Sequence, residues 1–227
     1  VTQFQAQAYK ELLPAGGPVK TQVVGAYDSV VEEQAQRVRE FMNYEILHVM
    51  EEYDEDLDQM LFYLPLAGSA FKKVYYDENL QRPVSKFVAP EDLIVPYYTT
   101  DLESCPRISH AIKMPENDVK KLQAIGFYRN VELQPDDENQ DYSSLKSEKE
   151  KLEGVEPSYD TGEICLLYEI HCNLDLEGFE DMGEDGEETG VKLPYIVTID
   201  SNTENILAIR RNFREDDPMR NKIEYFV

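Results

Sequence analysis

The spacing of the apolar residues changes at residue 68, and that change constrains the fold more than any other feature of the chain. Before it, Val31, Ala35, Val38, Met42, Ile46, Val49 and Tyr53 recur at helical spacing, with Glu32, Glu33, Arg37, Arg39 and Glu40 mostly on the other face. Asp28 or Ser29 is placed to cap the start of this helix. Asp54, Glu55 and Asp56 suit the positive N-terminal end of a second helix. Leu57, Met60, Leu61 and Leu64 give that helix an apolar stripe, and Pro65 with Gly68 is expected to close it.

Beyond Gly68 the pattern becomes that of short strands. Residues 70–76 read as a strand, 77–79 as a turn and 84–88 as the hairpin partner, followed by a bend at 90–92 and a short strand at 93–95. Residues 107–114 form another strand. Pro115, at a first helical position, opens a short helix through Val119, Leu122 and Ile125 that ends at Gly126. Residues 163–176 read as a strand, and 193–199 pairs with 206–213 across a turn at 200–203. The expectation is an α+β fold: N-terminal helices packed on a mostly antiparallel sheet that carries one inserted helix. Residues 1–27, with Pro14, Gly16, Gly17, Pro18 and Gly25, read as an extended lead-in; whether it folds back on its own chain or reaches to a neighbour stays open, and because extended arms commonly depend on partners for order the neighbour is favoured. Residues 28–227 form the body, interrupted by an acidic insert at 132–162 with an exposed helix at 143–152, and by an acidic loop at 175–190.

Charge narrows the function. The chain has 22 basic and 46 acidic residues, a formal net charge of −24. Duplex DNA is held by Lys and Arg neutralising phosphates, so an ordinary DNA-binding module is excluded. Solubility accounts for such acidity, and so does a surface that must face DNA without gripping it. Tyrosine leads the aromatics, with 15 Tyr, 9 Phe and no Trp, which suits packed but partly wet contact surfaces. Cys105, Cys165 and Cys172 are odd in number and lack metal-type spacing, which favours free thiols in a reducing cytosol. No apolar run approaches the roughly 20 residues that cross a bilayer. The start at Val1 and the stop within the strand-like Tyr225-Phe226-Val227 are those expected of a segment of a longer polypeptide.

The sequence offers no catalytic, cofactor-binding or metal residues. His48 falls on a helix, and His110 and His171 on strands, none in a metal-binding motif; a two-histidine site assembled by the fold stays open. Cys165 and Cys172, seven apart on one strand, point to opposite faces, which argues against a joint role. Cys105, before Pro106, has no local base partner. The loop from Asp181 resembles a fragment of a calcium loop, with Gly186 at the sixth position, but the twelfth is Lys192 rather than Glu. With 46 acids, chance carboxylate pairs are certain and carry no signal for hydrolysis. Phosphate loops and nucleophile elbows are missing, and no cofactor is expected.

One run is more specific than any of these. Residues 58–77 (DQMLFYLPLAGSAFKKVYYD), 83–96 (PVSKFVAPEDLIVP), Thr100–Glu103, Arg107–His110 and 121–129 (KLQAIGFYR) resemble the portal, or head-to-tail connector, proteins of tailed bacteriophages, especially the short-tailed kind. Residues 193–200 and 209–212 are similar too. The resemblance implies a wing-like portal body whose stem and clip lie beyond residue 227. It implies a homo-oligomeric ring of about a dozen subunits, closed by head-to-tail interfaces. Such a ring sits at one capsid vertex of the virion, is assembled in the host cytoplasm, passes duplex DNA during packaging and ejection, and docks terminase, capsid, scaffold and tail or adaptor proteins. It implies no enzyme and no membrane.

Other readings are distinguishable. Another head–tail adaptor or tail structural protein would share the α+β body but lack a helical stem downstream. A metal-dependent hydrolase would retain a stoichiometric ion. An acidic mimic of DNA would array carboxylates at phosphate spacing, and the strand pattern shows no such row.

Overall fold

In a computed structural model that describes residues 1–25, 28–134, 164–182 and 187–227, the chain is α+β, with four α-helices and seven strands among the described residues. It divides into two compact units, Val1–Leu93 with Glu224–Val227, and Ile94–Ile223. The division falls within the stretch read above as one body, 28–227.

In the first unit, α1 (Thr2–Leu12) corrects the expectation of an extended lead-in. The breakers that suggested it, Pro14 to Pro18, all follow residue 12, whereas the preceding segment is rich in Gln, Ala, Lys, Glu and Leu, which tolerate a helix. The segment also bonds its own chain. Gln5 Nε2 donates to Asp58 Oδ1 (2.7 Å), and the Tyr9 hydroxyl donates to Asp54. The bond to Asp54 comes first among the causes that push the Tyr9 phenol up to about 12.

The α2 helix (Ser29–Tyr44) starts where expected, with Asp28 Oδ1 accepting the Val30 N–H (3.2 Å). It runs into a single π turn, Glu45–Val49, and the chain then restarts as α3 (Tyr53–Ala67). Pro65 lies inside α3 rather than closing it. Its fixed φ is itself helical, and it costs one N–H near the helix end. The stop is made by Gly68, whose φ of +83° is left-handed and whose N–H bonds the Leu64 carbonyl (2.9 Å). Leu57 and Leu61, one turn apart, are the buried side of α3.

Strands β1 (Phe71–Asp77) and β2 (Arg82–Val88) form an antiparallel hairpin in full register from Phe71 opposite Val88 to Asp77 opposite Arg82. Asp77 Oδ1 accepts the N–H groups of Asn79 and Leu80, and Gln81 takes a left-handed φ of +54° to complete the turn. The outer edge of β1 is covered by residues 225–227: the N–H groups of Lys72 and Val74 donate to the carbonyls of Val227 and Tyr225, with Phe226 buried.

The five-stranded sheet has the order β3 (Leu93–Ile94), β4 (Arg107–Pro115), β5 (Ile164–Leu174), β6 (Leu193–Asp200) and β7 (Ile206–Arg211), of which β4 to β7 belong to the second unit. The pairs β4–β5, β5–β6 and β6–β7 are antiparallel, with a register shift between Thr198 and Ile199. The inserted helix α4 (Glu116–Ala124) follows β4, with Pro115 as its N-cap residue rather than its first helical one, and gives way to Gly126 at φ +79°. Val119 and Leu122 of α4 pack with Ile112, Met114, Cys165 and Leu167 of the sheet, and with Tyr128, Leu207 and Ala208. This is the core of the unit. The expected helix at 143–152, most of the acidic insert, and residues 183–186 of the acidic loop lie outside the described residues.

Candidate functional site

Strand register brings together what sequence keeps apart. His110 on β4 lies directly opposite Glu169 on β5, and Ile108 lies opposite His171. Directly opposed residues of an antiparallel pair share a face, as do residues two apart on one strand. His110, Glu169 and His171 therefore occupy one face of the sheet, and Thr198 of β6, opposite Glu169, extends the row. The same face carries Met114, Ile112, Cys165 and Leu167, so the polar row continues directly from the core. His171 and Thr198 are buried, and His171 Nε2 lies 2.7 Å from Glu169 Oε1.

A carboxylate against an imidazole fixes which ring nitrogen carries the proton, the arrangement by which a histidine is held ready for acid–base work or for structure. The cysteines do not join it. Cys165 is fully buried in the core beside α4. Cys172 faces the other side, and burial, which outweighs the nearby Arg107, pushes its thiol up. Cys105 donates through Sγ to the Arg107 carbonyl (3.0 Å). His48 lies in the π turn, 5.5 Å between ring centres from Tyr44. Among the described residues no group of three or more His, Cys, Asp and Glu is arranged to hold a metal ion. The two-histidine grouping was invisible in the sequence because only register reveals it.

A second polar cluster lies in the first unit. In β2 the N–H groups of Ser85 and Phe87 have no strand beyond them among the described residues and are taken by side chains instead. Ser85 N donates to Glu52 Oε1 (3.1 Å) and Phe87 N donates to Asp56 Oδ2 (2.8 Å). Glu52 Oε2 also accepts from the Arg82 guanidinium (2.5 Å). Burial pushes the Glu52 carboxyl up, but the Arg82 bond and the backbone N–H bonds together outweigh it, so the net position is below its ordinary value. For Asp56 burial wins, and the carboxyl is raised despite the Phe87 bond and the nearby Lys72. Two carboxylates one turn apart thus cap a sheet edge that would otherwise invite another strand. This cluster joins α3 to the hairpin.

In the second unit a groove of about 510 Å³ is lined by Phe179, Tyr195 and Phe213 with Arg211 and Arg220, against Glu180, Asp181 and Glu215. Arg211 pairs with Glu215, and Arg220 lies 3.9 Å from Asp181 and 5.6 Å over the Phe213 ring. The cations are matched by acids, so the groove offers aromatic contact with no excess of positive charge for a phosphate. Of the loop read as a calcium-loop fragment, Asp181 accepts from the Thr189 N–H (2.9 Å) and hydroxyl (2.8 Å), which pins the base of the acidic loop.

Comparison with known proteins identifies no family: no family model matches the chain, and no curated protein matches it. No helix among the described residues is long and apolar enough to cross a membrane.

Proposed function

We propose that this chain is a structural subunit of a phage portal ring, located in the virion at the capsid vertex, forming part of the passage for DNA packaging and ejection and a dock for terminase and tail proteins. The observation that carries the reading is the sequence resemblance of residues 58–77, 83–96 and 121–129 to portal proteins. Two of those segments make up most of α3 and the β1–β2 hairpin, where Glu52 and Asp56 lace helix to strand edge. A laced helix–hairpin body suits a wall element that bears load and needs no pocket.

The net charge of −24 fits the same reading. DNA that must slide is not held by salt bridges, and negative walls disfavour phosphate contact. Replacing the acids of the 175–190 loop with Asn and Gln and measuring DNA packaging tests whether that loop takes part; unchanged packaging removes it from the mechanism.

The direct test is electron microscopy of the purified full-length protein that carries this chain. Rings with a central hole of at least roughly 20 Å, enough for a duplex, are the expected result. Particles without rings, even with scaffold protein present, overturn the portal reading in favour of a head–tail adaptor or tail protein.

A further inference from the structure

The α2 helix exposes the side that a helix normally buries. At 3.6 residues per turn, Val30, Val31, Ala35, Val38, Phe41 and Met42 fall on one arc of about 140°, interrupted only by Gln34. No residue of α2 is buried; Phe41 is 62% exposed and Val38 51%. At its C-terminal end the opposite, polar side meets its own chain. There Asn43 clasps the 14–20 loop, its Oδ1 accepting the Val19 N–H (2.9 Å) and its Nδ2 donating to the Val19 carbonyl (3.2 Å). An isolated helix of this length is marginal in water, and a stripe this wide is what packing against another apolar surface requires.

The charges beside the stripe say what that surface is. One flank carries Glu33 and Arg37, the other Glu32 and Arg39, so on both flanks the acid lies towards the N-terminus and the base towards the C-terminus. Two copies laid antiparallel about Ala35 bring Glu33 beside Arg37 and Glu32 beside Arg39, each in both directions. The same register sets Val31 beside Val38 and Val30 beside Phe41, with Ala35, at one margin of the stripe, marking the level of the two-fold axis. A parallel pairing produces none of these matches. The helix is also a place where two copies of a chain of net charge −24 can meet, since it holds three carboxylates against two guanidiniums.

We propose that the α2 stripe is a two-fold docking surface for the α2 of a second copy of this chain, paired antiparallel about Ala35. The contact is isologous and does not rest on the portal reading.

The test is sedimentation equilibrium of the whole chain at about 0.15 M salt. The wild type is expected to dimerise, and Val38→Asp with Phe41→Asp to weaken the dimer at least about tenfold. A second pair of variants separates docking from folding: Arg37→Glu with Arg39→Glu in one chain, and Glu32→Arg with Glu33→Arg in another. Each alone is expected to lose the dimer, and an equimolar mixture to recover it as a heterodimer. A wild type that stays monomeric at about 0.2 mM, a dimer indifferent to the Val38 and Phe41 changes, or charge-reversed chains that fail to pair when mixed each overturns the proposal.

Discussion

The ammonium of Lys72 lies 4.1 Å from the centre of the Tyr53 ring, buried between β1 and the start of α3, with no hydrogen-bond acceptor for Nζ among the described residues. Burial pushes the Lys72 ammonium below its ordinary value, and Asp56 only partly opposes this. The ring face and one nearby carboxylate replace the water that a lysine ordinarily keeps. The hairpin is thus tied to α3 twice, once by carboxylates on its edge amides and once by a cation under an aromatic ring.

That placement has a pH signature. The folded pKa of Lys72 is depressed, so the native state releases this proton before the unfolded state does. Lys72 therefore carries its full burial cost below its folded pKa, and stability rises as pH climbs from there to about 10.5. Lys72→Met has no such proton to lose. Urea midpoints measured at pH 8 and pH 10.5 should show the wild type gaining on the variant across that interval; parallel behaviour would mean that the ammonium is solvated.

Glu52 behaves in the opposite sense. Its folded pKa is lowered, so its contribution is fully present above about 4.5 and is lost as pH falls through the folded value. Glu52→Ala strands the buried Ser85 N–H, at a cost of about 1–3 kcal/mol at pH 7. Chemical denaturation at pH 7 and pH 3 is the check: the gap between wild type and variant should narrow in acid.

The elements themselves were largely legible in the sequence. The stripe read from Val31 to Tyr53, the turn at Asp77 and the alternation in 107–114 each express a local rule, and the elements lie near the expected places, except that the first helix breaks after its π turn and Tyr53 opens α3 instead. What was not legible depended on neighbours. Helix α1 ends at Leu12, short of the breakers Pro14 and Gly16, and carries too weak an apolar stripe of its own to stand out beside them. Gln81 and Glu204 take left-handed φ values of +54° and +56° that no local residue preference announces. His110 and His171 looked unrelated because the pairing of β4 with β5, and nothing nearer in sequence, sets them on one face with Glu169.

Gly17 is a further position where backbone and packing agree. Its φ of +88° is left-handed, and a Cβ there would collide with the side-chain amide of Asn43. Gly17→Ala should therefore cost at least about 1 kcal/mol and release the 14–20 loop from α2. Hydrogen exchange of the Val19 amide reads this directly: loss of protection in both Gly17→Ala and Asn43→Ala is expected, with the β5 amides unchanged.

The Glu169–His171 pair permits a test of what the polar row contributes. If its main role is to satisfy buried groups, then removing one member costs more than removing both, because the survivor stays buried and loses the contact at 2.7 Å. Glu169→Leu leaves the His171 ring, 8% exposed, without the carboxylate 2.7 Å away and should destabilise by about 1–3 kcal/mol. Adding His171→Phe should recover most of that loss, giving a coupling of about 1–2 kcal/mol in a double-mutant cycle followed by urea unfolding. Additive losses would show that the two side chains are supported independently. In that case the row is held for a reason other than mutual satisfaction, and its placement on the core face calls for a functional explanation.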